Sequence, residues 1–151
     1  VVDTRFNGGG NLHEQLSDFL LGKKYMEIIP HGQLVGFQPG NKWLKPSVVV
    51  MGESNYSDAH LFPEAYKIKG GKLTIGMPVP GTGTFVWWEG QIDPSLVYGI
   101  PMGGWRTLDG KFCENNQMEP DIRVPLEPEV MTTGRDQQIE EAVKELLRQL
   151  D

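Results

Sequence analysis

The sequence predicts an α/β fold, and three observations carry that prediction. Segments of strand length alternate with segments of helical periodicity in the order strand, helix, strand, helix, strands, helix. The run Val48-Val49-Val50-Met51 is uniformly apolar, as in a buried strand. The last segment, Asp136 to Leu150, sets Ile139, Ala142, Val143, Leu146, Leu147 and Leu150 on one helical stripe, with Asp136 able to cap it.

The elements follow in order. Val1 to Phe6 reads as a strand, and Asn7-Gly8-Gly9-Gly10 as a tight turn. Asn11, with Glu14 three positions on, fits the capping box of a helix carrying Leu12, Leu16, Phe19 and Leu20 and stopping at Gly22. Residues 23 to 46 read as a long loop, with His31-Gly32, Pro39-Gly40 and Lys45-Pro46 as breakers, and a loop of that length often serves binding or assembly. Ser47 to Met51 is the next strand. Ser57 to about Lys67 is the next helix, which Pro63 should bend or shorten. Strands are expected at Lys72 to Ile75, Thr84 to Glu89, Leu96 to Ile100 and Ile122 to Val124, with a turn at Leu108 to Lys111. No internal repeat or low-complexity segment interrupts this order.

Composition narrows the function classes. The 151 residues are enough for one domain with a real core, and 38% hydrophobic against 23% charged residues fits a globular chain. A net charge of −6 without a basic block argues against a nucleic-acid binder. The apolar runs are too short to span a bilayer as a helix. Cys113 is the single cysteine, so no internal disulfide forms. There is no initiator Met and no signal-peptide pattern, and Val1 opens on a strand already under way, so the chain is expected to be a piece of a longer polypeptide.

Ser57 is the first candidate for chemistry. It stands where an apolar strand gives way, through Gly52-Glu53-Ser54-Asn55-Tyr56, to a helix. A hydroxyl held there can be a nucleophile facing helix N–H groups, with the Asp58 N–H as an oxyanion donor, or simply a helix cap, the commoner local role. The Gly8-Gly9-Gly10 run can supply further oxyanion donors or be a plain turn. It is neither a P-loop nor a dinucleotide fingerprint, and Gly81-Thr82-Gly83 fails the same test.

A serine nucleophile needs a base. His13, His31 and His60 are the histidines, and none is convincing. His60, three residues after Ser57, would project from the helix flank, and all three read as ordinary surface or half-buried residues. Glu114 can orient a base or be a solvated loop acid. One cysteine and scattered histidines support neither a metal site nor any other cofactor. Trp43, Trp87 and Trp88 read as core or interface aromatics rather than a base-stacking platform. The absent G-x-S-x-G elbow argues against a lipase-like hydrolase.

Taken together, five segments resemble one family in order. Asp3-Thr4-Arg5-Phe6-Asn7-Gly8-Gly9-Gly10, Asn55-Tyr56-Ser57-Asp58-Ala59, Gly76-Met77-Pro78-Val79-Pro80-Gly81-Thr82-Gly83, Glu114-Asn115 with Glu119-Pro120-Asp121-Ile122, and Gly134-Arg135-Asp136 are similar to segments of the tricorn proteases and the related C-terminal-processing peptidases. Gln137 stands where that family's last segment has proline. The resemblance implies a crotonase-like or Clp-protease-like α/β core, with residues 1–151 as a single C-terminal catalytic subdomain.

It also implies serine endopeptidase chemistry on peptides or unfolded proteins. Ser57 would be the nucleophile. The Asp58 N–H with one from Gly9 or Gly10 would form the oxyanion hole, and Glu114 would be the outer member of a Ser–His–Ser–Glu tetrad. The base His and its neighbouring Ser would lie upstream, beyond a PDZ domain, so the isolated chain is expected to be inactive or nearly so. Homo-oligomerisation is expected on the same ground. A non-catalytic peptide-binding or assembly module on the same fold is the alternative. The compartment stays open, with the cytoplasm slightly ahead of the periplasm.

Overall fold

A computed structural model describes residues 1–150. In chain order its elements are β1 (Val2–Asp3), α1 (His13–Leu20), β2 (Met26–Ile28), β3 (Gly36–Gln38), β4 (Val48–Met51), α2 (Asp58–Ile68), β5 (Leu73–Gly76), β6 (Thr84–Gly90), β7 (Val97–Gly104), β8 (Ile122–Arg123), α3 (Pro128–Met131) and α4 (Gln137–Arg148). β1, β4, β5 and β8 form a four-stranded sheet in that order, parallel at every pairing.

The period of two along β4 builds two layers. Val49 packs with Leu20, Phe62 and Tyr66 from α1 and α2. Val48 and Val50 point the other way and pack with Ile75 and Ala142, flanked by Ile139 and Leu146 of α4. All four β4 residues are fully buried, each worth roughly 1.5–3 kcal/mol in apolar transfer. Only part of the α4 stripe is used, since Val143, Leu147 and Leu150 are exposed.

α4 starts where expected: the Asp136 carboxylate accepts from the N–H groups of Gln138 and Ile139. Arg5 ties this cap to the end of β1. Its guanidinium donates to both Asp136 oxygens at 3.0 and 2.7 Å, to both Asp3 oxygens at 2.9 and 2.7 Å, and to Gln138 Oε1 at 3.0 Å.

Several expectations need correction. β1 ends at Asp3 rather than Phe6, because Phe6 takes a left-handed φ of 62° and turns the chain. Residues 23 to 46 are not a bare loop. They contain the antiparallel pair β2–β3 around a short 3₁₀ turn at Pro30–Gly32. α2 is not shortened by Pro63 and continues to Ile68. A proline leaves the carbonyl four residues back without its N–H. Here that carbonyl, Ala59 O, accepts from the Asn55 side-chain amide at 2.8 Å. Trp87 and Trp88 are not core residues. They stand exposed on the β6–β7 ribbon, and Trp43 is exposed as well.

No helix among the described residues is long and apolar enough to cross a membrane.

Candidate active site

Two loops leave the carboxyl ends of the adjacent strands β1 and β4, the place where parallel sheets commonly build sites. Side chains and backbone lace them together. Tyr56 N–H donates to Asn7 O at 3.0 Å. Asn55, fully buried, accepts from Gly52 N–H at 3.1 Å and donates to Thr4 Oγ1 at 2.9 Å. Thr4 Oγ1 in turn donates to Val50 O at 2.9 Å.

Ser57 ends the second loop with φ 54° and ψ −120°, a backbone conformation that L residues rarely adopt and that costs about 1–3 kcal/mol. Its side chain makes no capping bond, which removes the local role that sequence favoured. Its N–H donates to Thr82 Oγ1 at 2.9 Å.

Gly9 approaches Ser57 face on. A Cβ at residue 9 would stand 2.8 Å from Ser57 Cβ and 3.2 Å from Asp58 N, and φ at Gly9 is +106°. Gly9 N–H donates to Asn7 Oδ1 at 2.8 Å. Among the described residues, the N–H groups of Gly10 and Asp58 have no protein acceptor.

The Asp58 side chain has a task separate from its N–H. It accepts from Leu12 N–H at 2.8 Å and His13 N–H at 3.1 Å, and its other oxygen meets His13 Nδ1 at 2.5 Å. It therefore caps α1 from another helix. Asn11 does not: residue 12 is the N-cap and no side chain of its own segment bonds there.

A model of peptidase family S41 matches residues 1–124. The chain belongs to peptidase family S41. Tricorn protease homolog 1 of Streptomyces coelicolor is 30% identical over 160 aligned residues, which cover 100% of this chain and 14% of that protein. The crystal structure of the tricorn protease superposes with a TM-score of 0.87 at 26% identity, covering 99% of this chain and 15% of that one. The photosystem II D1 C-terminal processing protease shares the fold, with a TM-score of 0.58 at 22% identity over 85% of this chain and 34% of its own. This S41 chain thus spans about one-seventh of the length of the tricorn relatives it matches.

In this S41 chain none of the three histidines is placed as a base for Ser57. His31 is exposed in the 3₁₀ turn. His13 is bound to Asp58 and meets the Trp105 ring edge-on. His60 is fully buried, not a surface or half-buried residue, and its Nδ1 accepts from Thr82 N–H at 2.9 Å. None of them bonds the Ser57 hydroxyl.

Glu114 accepts from Thr84 Oγ1 at 2.7 Å. Its segment is stitched to the glycine-rich stretch that also holds Ser57: Asn115 N–H donates to Gly81 O at 3.0 Å, and a Cβ on Gly83 would stand 2.4 Å from Cys113 Cβ. Residues 81–84 thus link Ser57, through Thr82, to Glu114, through Thr84. Sequence reasoning missed Thr82 and Thr84: residues 81–83 fail as a phosphate loop and fall within a family-like glycine-rich segment, but neither reading gives the threonines a role. Burial pushes the Cys113 thiol above its usual range. No group of three or more potential metal-ligating side chains occurs among the described residues.

Proposed function

We propose that this chain carries the nucleophile and oxyanion hole of a tricorn-like serine peptidase acting on peptides or unfolded protein. The observation that carries the reading is the Ser57 backbone: a strained residue at the start of α2, with a side chain excused from capping, faces a glycine loop across a contact that only glycine permits.

In this reading Ser57 Oγ attacks the scissile carbonyl while a histidine takes its proton. The carbonyl oxygen becomes an oxyanion held by the Asp58 and Gly10 N–H groups. Gly9, whose own N–H is directed at Asn7, contributes chiefly the space. Collapse of the intermediate breaks the C–N bond, and the histidine returns the proton to the leaving amine. Water then hydrolyses the acyl-enzyme. Glu114, fixed by Thr84, is the outer member of the relay that orients the base.

Because His13 and His60 are bound to other partners and His31 stands exposed in the 3₁₀ turn, with none of them bonded to Ser57, this reading takes the base from a segment outside residues 1–151. Residues 1–151 form a single catalytic subdomain of that larger protein, which works as a homo-oligomer. The test uses the full-length polypeptide. Ser57→Ala should abolish peptide turnover and labelling by a fluorophosphonate probe. Unchanged turnover would falsify the assignment, and peptide binding without labelling of the unmutated protein would favour a non-catalytic binding module, the reading that the missing base keeps alive.

A further inference from the structure

We propose that His60 is a positioning residue for Ser57, acting through Thr82. The inference rests on the reading of Ser57 as nucleophile and adds the device that fixes it. His60 lies one turn along α2 from Ser57 and has no exposed surface. Its Nδ1 accepts from Thr82 N–H at 2.9 Å, and Thr82 Oγ1 accepts from Ser57 N–H at 2.9 Å. Two hydrogen bonds therefore run from the buried imidazole, through one residue of the glycine-rich segment, to the backbone of the nucleophile.

The chemistry of these groups gives the relay a direction. A backbone N–H can only donate, so Nδ1 must be the acceptor and the neutral ring carries its proton on Nε2. Nε2 has no hydrogen-bond partner but faces the Glu64 carboxylate at 3.9 Å, which favours that tautomer. Lys111 stands at the same 3.9 Å distance from the same Glu64 oxygen. His60 and then Lys111 hold the Glu64 carboxyl below its usual range, so a fixed negative charge faces the proton-bearing side of the ring.

The relay matters because the Ser57 conformation is unfavourable by itself and persists only where neighbours over-determine it. Engagement of Ser57 N–H by Thr82 also separates this donor from the oxyanion hole and leaves that task to Asp58 and the glycine loop. If Thr82 moves, Ser57 N–H loses its acceptor and the turn relaxes. An error of about 1 Å in a reacting group is worth on the order of 10²-fold in rate.

The experiment measures kcat, KM, fluorophosphonate labelling rate and melting temperature of the full-length polypeptide with Thr82→Val, Thr82→Ser, His60→Leu and His60→Asn. Valine keeps the shape of threonine without its oxygen, whereas serine keeps the acceptor. Asparagine can present Oδ1 near the Nδ1 position, and leucine cannot. The expected result is that T82V and H60L lose about 10- to 100-fold in kcat and labelling rate with KM little changed, while T82S and H60N stay within a few-fold of the unmutated protein. Should H60L fail to fold, the T82V and T82S pair decides. Near-normal kcat in T82V, alongside a silent S57A, overturns the relay alone. Turnover that survives in S57A overturns the nucleophile reading, and the relay with it.

Discussion

Gly9 and Ser57 touch so closely that no side chain fits between them: a Cβ on residue 9 would lie 2.8 Å from the Cβ of Ser57. The two residues lie on loops that follow different strands, so this contact sets how near the glycine loop stands to the nucleophile.

Gly9→Ala should therefore be far more damaging than Gly8→Ala. At Gly9 a methyl group meets Ser57 Cβ, Tyr56 O at 2.9 Å and a left-handed φ, whereas at Gly8 nothing lies within 4 Å. We expect G9A to cost about 2–4 kcal/mol in urea unfolding and to suppress probe labelling. G8A should stay within about 0.5 kcal/mol. Equal effects would show that the close approach is not what the glycine run is for.

Asp58→Ala should loosen α1. It strips the acceptor from Leu12 and His13 N–H, so we expect a loss of about 2 kcal/mol, the upper end for a helix cap. Asp58→Asn, which keeps one oxygen, should lose about half of that. Amide hydrogen exchange over residues 12–16 checks the location: protection should fall there before it falls in α4.

Arg5→Ala should lower stability by about 2–3 kcal/mol, because it leaves two carboxylates facing each other without their shared cation. Arg5→Lys should recover less than half, since an ammonium cannot reproduce the guanidinium fork. The same cluster makes a pH prediction. Hydrogen bonds from Arg5 hold the Asp3 and Asp136 carboxyls below their ordinary value of 3.8. The unfolded chain then binds protons more readily, so stability rises with pH through this range. The contribution is full above 3.8 and is lost as pH falls through the lower folded values. In R5A the acid limb of the stability curve should be shallower.

Cys113 should resist thiol reagents in the native protein. The residue is 4% exposed, and burial raises its thiol pKa, so little thiolate is present or reachable at neutral pH. Ellman's reagent should react many-fold faster in denaturant. Rapid native labelling would mean that the segment bearing Glu114 opens readily.

The parts legible in the sequence were those decided by neighbours along the chain. Asp136 caps α4 and the strand Val48–Met51 is buried, as the local pattern predicts. The features missed depend on distant partners. The cap of α1 comes from Asp58, 45 and 46 positions away, so the nearby Asn11 misled. Pro63 does not shorten α2, because the Asn55 amide donates to the carbonyl that the proline leaves without its N–H. β2 and β3 are short and mostly exposed, so they carry no alternation to detect. At the site, Ser57 was found by its place between strand and helix, but its left-handed φ and its bond to Thr82, 25 residues on, are tertiary facts.

β1 pairs with β4 through only two residues, yet it positions the glycine half of the site. Such a short pairing is weak by itself, and it is held by the bonds of Thr4 and Asn7 to the β4 side together with the Arg5 fork, which grips the cap of α4 on the far face of the sheet. Helix α4 lies beyond residue 124, where the family match stops. Ending the full-length polypeptide at residue 124 would thus keep every catalytic group proposed within this chain and still free the glycine loop to drift from the serine. The same cut would strip the layer that covers Val48, Val50 and Ile75, so the site and the sheet that carries it would fail together.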